Sequence, residues 1–270
     1  MANVVGLIGG LGNQLFQYSF GRWLEMRTGT PTQFDLSAYR GRPDYLGLAE
    51  FGFNLGKPLK SVSKLPFPGG RFPRAARGVR QIIGPARVRF ERELHGLPSA
   101  LQMTKRSWYY GYWQHPHMVR EVLGSLQADF EARTVGDNLP TTRIAVHVRR
   151  GDMVVHSAIL GPDYYARAVR ELREAHRLPA SEPVTIFSDD PQWCRDNLEL
   201  PTAQYPEPLT AAGDLAALAQ HEFLVLSGST FSWWAASLTH RAPDSVVAPD
   251  PFVPRQKLPL DMEGWLAVSR

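Results

Sequence analysis

The chain has 270 residues, 43% of them hydrophobic and 21% charged, the balance of a globular protein with a core of its own and room for one large or two smaller domains. Its formal net charge is +4, and its single cysteine, Cys194, leaves no pair for a disulfide and no cysteine set for zinc. Apolar runs such as Phe223 to Leu226 fall far short of the roughly 20 residues that a membrane span needs.

Val4 to Ile8 reads as a first strand rather than a secretory signal, since no basic region precedes it and no cleavage site follows. With the lone cysteine, that reading leads us to expect a cytoplasmic protein. Gly9 to Gln14 (GGLGNQ) is a glycine turn into an aromatic-rich helix over Gln14 to Arg27, which Gly29 ends. The turn has three readings. As half of a dinucleotide fingerprint it lacks the third glycine, with Leu15 in that place; Asp35 would then meet a ribose in a NAD-binding oxidoreductase. Alternatively the turn lets the backbone, Asn13 and Gln14 approach a polar ligand, or it serves packing alone.

Thr32 to Leu36 is the next strand, and Pro and Gly then punctuate Gly52 to Gly70. Arg71, Arg74, Arg77, Arg80, Arg87, Arg89 and Arg92 follow with few acids among them. Arg74, Arg77 and Arg80 recur every third residue and would line one side of a helix. That is either a solvated face or a peripheral contact with anionic phospholipid or a lipid-linked pyrophosphate acceptor. Nucleic acid is disfavoured, because no binding motif or interleaved aromatics accompany the charge. Ser107 to Gln114 (SWYYGYWQ) reads as a buried aromatic strand. His115 and His117 flank Pro116, a turn rather than a metal site without a third ligand. The polar segment Thr134 to Thr142 is the expected boundary, dividing residues 1–138 from residues 139–270.

The second half alternates regularly. Strands are expected at Arg143 to Val148, Val184 to Phe187, Phe223 to Leu226 and Ser245 to Ala248. Helices are expected at Tyr164 to Ala175, Pro191 to Leu198, Asp214 to His221 and Thr230 to Leu238. In the first of these helices Tyr165, Ala168, Val169 and Leu172 share one face. Such alternation implies βαβ units and a parallel sheet, whose ligands bind at the C-terminal strand ends. The favoured architecture is α/β, with two Rossmann-like domains facing one another across a cleft.

Two constellations fall at those strand ends. His147 to Asp152 (HVRRGD) places Arg149 and Arg150, planar forks suited to phosphate oxygens, just past a strand. The bland reading is an arginine pair held at the surface by Asp152. Ser227 to Ser232 (SGSTFS) is a turn in which Ser229 and Thr230 can cap the next helix and leave backbone N–H groups for an anion. Asp189 and Asp190 end a third strand (IFSDD), where a carboxylate can take a base or ribose hydroxyl, cap the following helix or hold a metal. No GxSxG elbow is present, which disfavours hydrolase chemistry.

Taken together, four stretches resemble the α-1,2-fucosyltransferases of glycosyltransferase family eleven. They are GGLGNQLFQYSFGRWLEMRTG at Gly9 to Gly29, HVRRGD, IFSDDPQWC at Ile186 to Cys194, and STFSWWAASL at Ser229 to Leu238. They occur in the family's order, while Gly52 to Gly136 carries little of the signal. The resemblance implies a GT-B-like fold, with an acceptor-side domain at 1–138 and a donor-binding one at 139–270. It also implies GDP-fucose as a substrate rather than a cofactor, a galactose-containing glycan acceptor, and inversion at the anomeric carbon with no metal. It carries the catalytic role onto Arg149 and Arg150. Donor binding falls on His147, Asp152, Asp189, Ser229, Thr230, Phe231 and Ser232, with Asn13 and Gln14 near the sugar. Ser227-Gly228 departs from the family's usual Ala-Asn pair, which puts the side-chain contacts of that turn in doubt. Asp152, Asp35 and Glu50 are weighed as the base that takes the acceptor proton, and none is chosen. Another nucleotide-sugar transferase of the same fold, the NAD-binding oxidoreductase and a non-catalytic nucleotide-binding module stand as alternatives.

Overall fold

The computed structural model describes residues 2–41, 46–56, 87–91, 96–99, 103, 107–134, 141–151, 159–207, 209–254 and 263–270. The chain forms two compact units, Met1–Leu126 and Gln127–Arg270. Asp152 and the arginines from Arg71 to Arg80, together with Arg92, lie outside the described residues.

In the first unit, strands β1 (Asn3–Gly6), β2 (Thr32–Asp35), β3 (Arg87–Phe90) and β4 (Ser107–Tyr110) form a parallel sheet in the order β2-β1-β4-β3. Arg87 and Arg89 therefore belong to a strand. Helix α1 (Leu11–Thr28) follows β1 through the glycine turn, and Gly29 closes it in the left-handed conformation (φ 61°), its N–H bonded to the Glu25 carbonyl. Most of α1 is buried, including Leu15, Phe16, Tyr18, Phe20 and Leu24, as expected of a helix that is apolar around most of its circumference. Phe20 stacks face to face on Trp113, centroids 3.8 Å apart. The aromatic strand is shorter than its sequence suggests. It stops at Tyr110, and the chain turns through Gly111 to His115 into helix α2 (Pro116–Thr134), where the two units divide.

The second unit carries strands β5 (Ile144–Val148), β6 (Val184–Ser188), β7 (Ala203–Gln204), β8 (Phe223–Val225), β9 (Val246–Asp250) and β10 (Leu266–Ser269). They form a parallel sheet in the order β10-β9-β8-β5-β6-β7. The central β5 is buried along its whole length, which is why IAVHV reads as a continuous apolar run rather than an alternating one. Helices α3 (Pro162–Ala175), α4 (Pro191–Asn197), α5 (Ala211–Ala219) and α6 (Thr230–Ser237) connect the strands. Tyr165, Ala168, Val169 and Leu172 of α3 face the core with Ile144, Val146, Ile186 and Val225, the face that their spacing requires. The Tyr164 hydroxyl donates to the Leu226 carbonyl at 2.7 Å and fixes the end of β8.

Candidate active site

The C-terminal ends of β5, β6 and β8 gather most of the residues singled out from the sequence. Val148 lies opposite Ser188 in the ladder, so the residues that follow, Arg149 and Asp189, leave the sheet side by side. Their charges meet, with Arg149 Nη1 2.9 Å from Asp189 Oδ2. The other oxygen of Asp189 accepts the backbone N–H of Arg150 at 2.9 Å. Gly151 is required next to it, because a Cβ there would stand 2.6 Å from Asp189 Oδ2.

Arg150 is held differently. Its Nε donates to Asp190 Oδ2 at 3.2 Å, and its guanidinium lies 3.8 Å from the centroid of the Trp193 ring, within the range of a cation–π contact. Asp190 also caps α4, accepting the Trp193 N–H at 3.1 Å. The Arg150 side chain is 17% exposed and that of Arg149 38%. One arginine is built into the strand end, while the other presents its fork at the surface. Both acids of the IFSDD segment thus face arginines. The cap that Asp190 provides was among its readings in the sequence, but the grip of Asp190 and Trp193 on Arg150 was missed, although the tryptophan falls in the first turn of the helix that Asp190 starts.

His147 lies at the end of β5 and is buried. Its Nδ1 is 2.7 Å from Ser227 Oγ, and its ring stacks on Phe231 with centroids 5.1 Å apart. Burial, with a smaller contribution from the Arg149 charge, pushes its pKa down to about 3, so the imidazole is neutral under ordinary conditions. Ser227, one of the two residues that depart from the resemblance, thereby has a defined task. Ser229 caps α6 by accepting the Phe231 N–H at 3.3 Å. Ser232 is buried and turns back to the Ser227 and Ser229 carbonyls at 3.0 and 3.1 Å. Half-buried Thr230 and Phe231 stand at the helix start, where the helix dipole favours an anion. A neutral histidine, a partly exposed arginine and a helix N-terminus thus come together at one sheet edge.

Asn13 and Gln14 belong to the first unit. Gln14 is fully buried, donates to the Gly9 carbonyl at 3.0 Å and accepts the Leu48 N–H at 3.4 Å, so it holds the glycine turn. The half-buried Asn13 accepts from Gln114 Nε2 at 2.9 Å. Asp35 is buried and accepts from the Tyr110 hydroxyl at 2.9 Å and the Ser37 N–H at 2.9 Å, which leaves it committed to the fold rather than to a ribose. His115 meets Glu91 at 3.0 Å, and His117 is exposed. Among the described residues no three His, Cys, Asp or Glu side chains stand close enough together to hold a metal ion. A cavity of about 470 Å³ opens at the opposite edge of the second sheet, before β8 and β9, lined by His176, His221, Glu222, Arg241 and Ser245.

Comparison with known proteins identifies the family and the fold. The model of glycosyl transferase family 11 matches residues 95–256, more than half of the chain and the whole of the arginine and serine edge. An alpha-1,2-colitosyltransferase of Escherichia coli is 25% identical over 94% of this chain and 93% of its own. Galactoside alpha-(1,2)-fucosyltransferase 2 of Oryctolagus cuniculus is 25% identical over 89% of this chain and 70% of its own. Among solved structures, the E. coli ADP-heptose lps heptosyltransferase II superposes with a TM-score of 0.50 at 13% identity, over 99% of this chain and 90% of that one. That likeness concerns the fold, the α/β parallel-sheet kind of a GT-B-like transferase. With a family match that spans both the arginine pair and the serine turn, the chain belongs to glycosyl transferase family 11.

Proposed function

We propose that the protein transfers L-fucose from GDP-fucose to the 2-hydroxyl of a galactose-type acceptor, with inversion and without a metal. The observation that carries this reading is the strand edge where Arg149, the start of α6 and the neutral His147 converge. In fucosyl transfer the sugar becomes oxocarbenium-like while negative charge collects on the departing β-phosphate of GDP. A bidentate guanidinium and a helix N-terminus stabilise that charge, and removing one preorganised donor of this kind costs about 3 kcal/mol. Arg149 is the phosphate contact in this reading, exchanging Asp189 for the nucleotide, while Arg150 fixes the turn through Asp190 and Trp193. The engagement of both carboxylates by arginines argues against their use as metal ligands.

A second donor follows from the colitosyltransferase similarity. Colitose is fucose without its 3-hydroxyl, so GDP-colitose would present the same phosphates to the same edge. The test is incubation with GDP-fucose or GDP-colitose and a β-galactoside in excess EDTA, with the product linkage read by NMR. An α-1,2-linked fucosyl product is expected. A strict need for Mn²⁺ or Mg²⁺ would end the metal-free mechanism, and preference for GDP-colitose would replace the donor. Thermal stabilisation by NAD or UDP but not by GDP would overturn the nucleotide assignment.

A further inference from the structure

The turn Gly111 to His115, just past β4 in the first unit, takes no part in the mechanism above, yet it is built around one exposed side chain. Glu91 follows β3 directly. Its Oε2 accepts the backbone N–H of Tyr112 at 2.8 Å and of Trp113 at 3.0 Å, and its Oε1 meets His115 Nε2 at 3.0 Å. Burial alone would push this carboxyl's pKa up, but the bonds from His115, Trp113 and Tyr112 outweigh it and hold the group below its usual range. Gly111 is needed at the start of the turn, since a Cβ there would lie 2.4 Å from the Glu91 Cβ. Its carbonyl accepts from Gln17 Nε2 at 3.0 Å, and the other end of that amide accepts the Ile8 N–H at 2.8 Å, so the ends of β4 and β1 are tied together.

Trp113 then adopts a left-handed backbone (φ 53°), a conformation that a bulky residue takes only when its surroundings impose it. Its ring is fully buried against Phe20. Sending Trp113 inward sends its neighbour outward, and Tyr112 is 48% exposed. Tyr39 donates to the Gly9 carbonyl at 2.8 Å, and burial raises its pKa, with a smaller contribution from the nearby Tyr112 phenol. Two residues past Tyr112, the Gln114 amide donates to Asn13 Oδ1 at 2.9 Å, and the Asn13 side chain lies against Gly9, whose carbonyl Tyr39 bonds. An exposed aromatic ring and two joined amides thus follow the C-terminal ends of β4 and β1, where parallel sheets place their ligands.

We infer that Tyr112 is the stacking platform for the acceptor sugar, with the Gln114 and Asn13 amides turned to its hydroxyls. A hexopyranoside fits this chemistry. Galactose has an apolar face made by its C3, C4 and C5 hydrogens that lies against an aromatic ring, and a rim of hydroxyls that amides bind from the side. The inference rests on the glycosyl-transfer reading and extends it to the acceptor.

The test uses the full chain and lactose as the probe, with initial rates at saturating GDP-fucose for the wild type, Tyr112→Ala and Tyr112→Phe, and GDP affinity by calorimetry. Tyr112→Ala should raise the acceptor KM about tenfold or more and leave GDP affinity within about twofold, because only the stacking surface is lost. Tyr112→Phe keeps the ring and should remain within about threefold of the wild type. Because the side chain is half exposed, neither variant threatens folding, which circular dichroism checks. An acceptor KM unchanged in Tyr112→Ala, or a loss in Tyr112→Phe equal to that in Tyr112→Ala, would overturn this inference while the transfer reading stands. If the wild type transfers fucose to no β-galactoside, the transfer reading fails and this one with it.

Discussion

His147 shows what a single residue's surroundings do to its chemistry. Sealed between Ser227 and Phe231, it stays neutral when folded down to about pH 3, whereas in the unfolded chain it titrates near its ordinary value of about 6.5. Between those values the unfolded chain binds a proton that the folded chain does not. The stability this residue contributes is therefore complete above about pH 6.5 and is lost as the pH falls toward 3, with a slope of about 1.4 kcal/mol per pH unit. The thermal midpoint of the wild type should drop more steeply between pH 7 and pH 4.5 than that of His147→Gln. Parallel curves for the two proteins would mean that the buried imidazole titrates normally. The same residue marks how far the sequence could be read. HVRRGD reads as lying at a strand end, and the structure puts His147 to Gly151 at the end of β5. The partner Ser227 lies 80 residues away along the chain, and no local pattern links the two. Likewise Trp193 gave no sign in the sequence that it would lie under Arg150, because a cation–π contact depends on how α4 leaves the sheet.

At the scale of elements, legibility followed periodicity. Helix α3 could be placed because its apolar residues recur at helical spacing, and the buried face Tyr165, Ala168, Val169 and Leu172 is the one expected. Leu172→Ala should destabilise the second unit by about 2–5 kcal/mol through a cavity in a core that cannot fully collapse. Arg170→Ala, on the opposite and largely exposed side, should stay within about 0.5 kcal/mol. Chemical denaturation of the two variants checks the contrast, and equal losses would place α3 wrongly. Helix α2 was missed although Met118, Val119, Val122, Leu126 and Phe130 are buried along it. The His-Pro-His start and Gly124 at mid-helix obscured that stripe. Strand β3 was hidden for another reason, since Arg87–Phe90 alternates within a stretch whose charge drew attention to solvent. The turn after β4 was read as the continuation of a strand, because nothing local reveals that Glu91 would capture two backbone N–H groups there.

For the whole molecule, the alternation of strands and helices foretold a parallel α/β architecture, and both sheets are parallel. Among the described residues no helix is long and apolar enough to cross a membrane. We propose that the arginines between Arg71 and Arg92 make a peripheral contact with anionic lipid. Sedimentation with anionic vesicles should be clear at low salt and fall steeply as salt rises. Equal binding to neutral vesicles, or none at low salt, would return the stretch to an ordinary solvated surface. The account as a whole turns on the strand edge of the second unit, and turnover together with GDP calorimetry on Arg149→Ala tests it most directly. With circular dichroism unchanged, kcat should fall on the order of 10²-fold or more and GDP affinity should weaken. Arg149→Lys should recover little, because the charge remains but the fork is gone. A folded Arg149→Ala that keeps near-normal turnover and GDP affinity would contradict the assignment of this edge to the departing nucleotide.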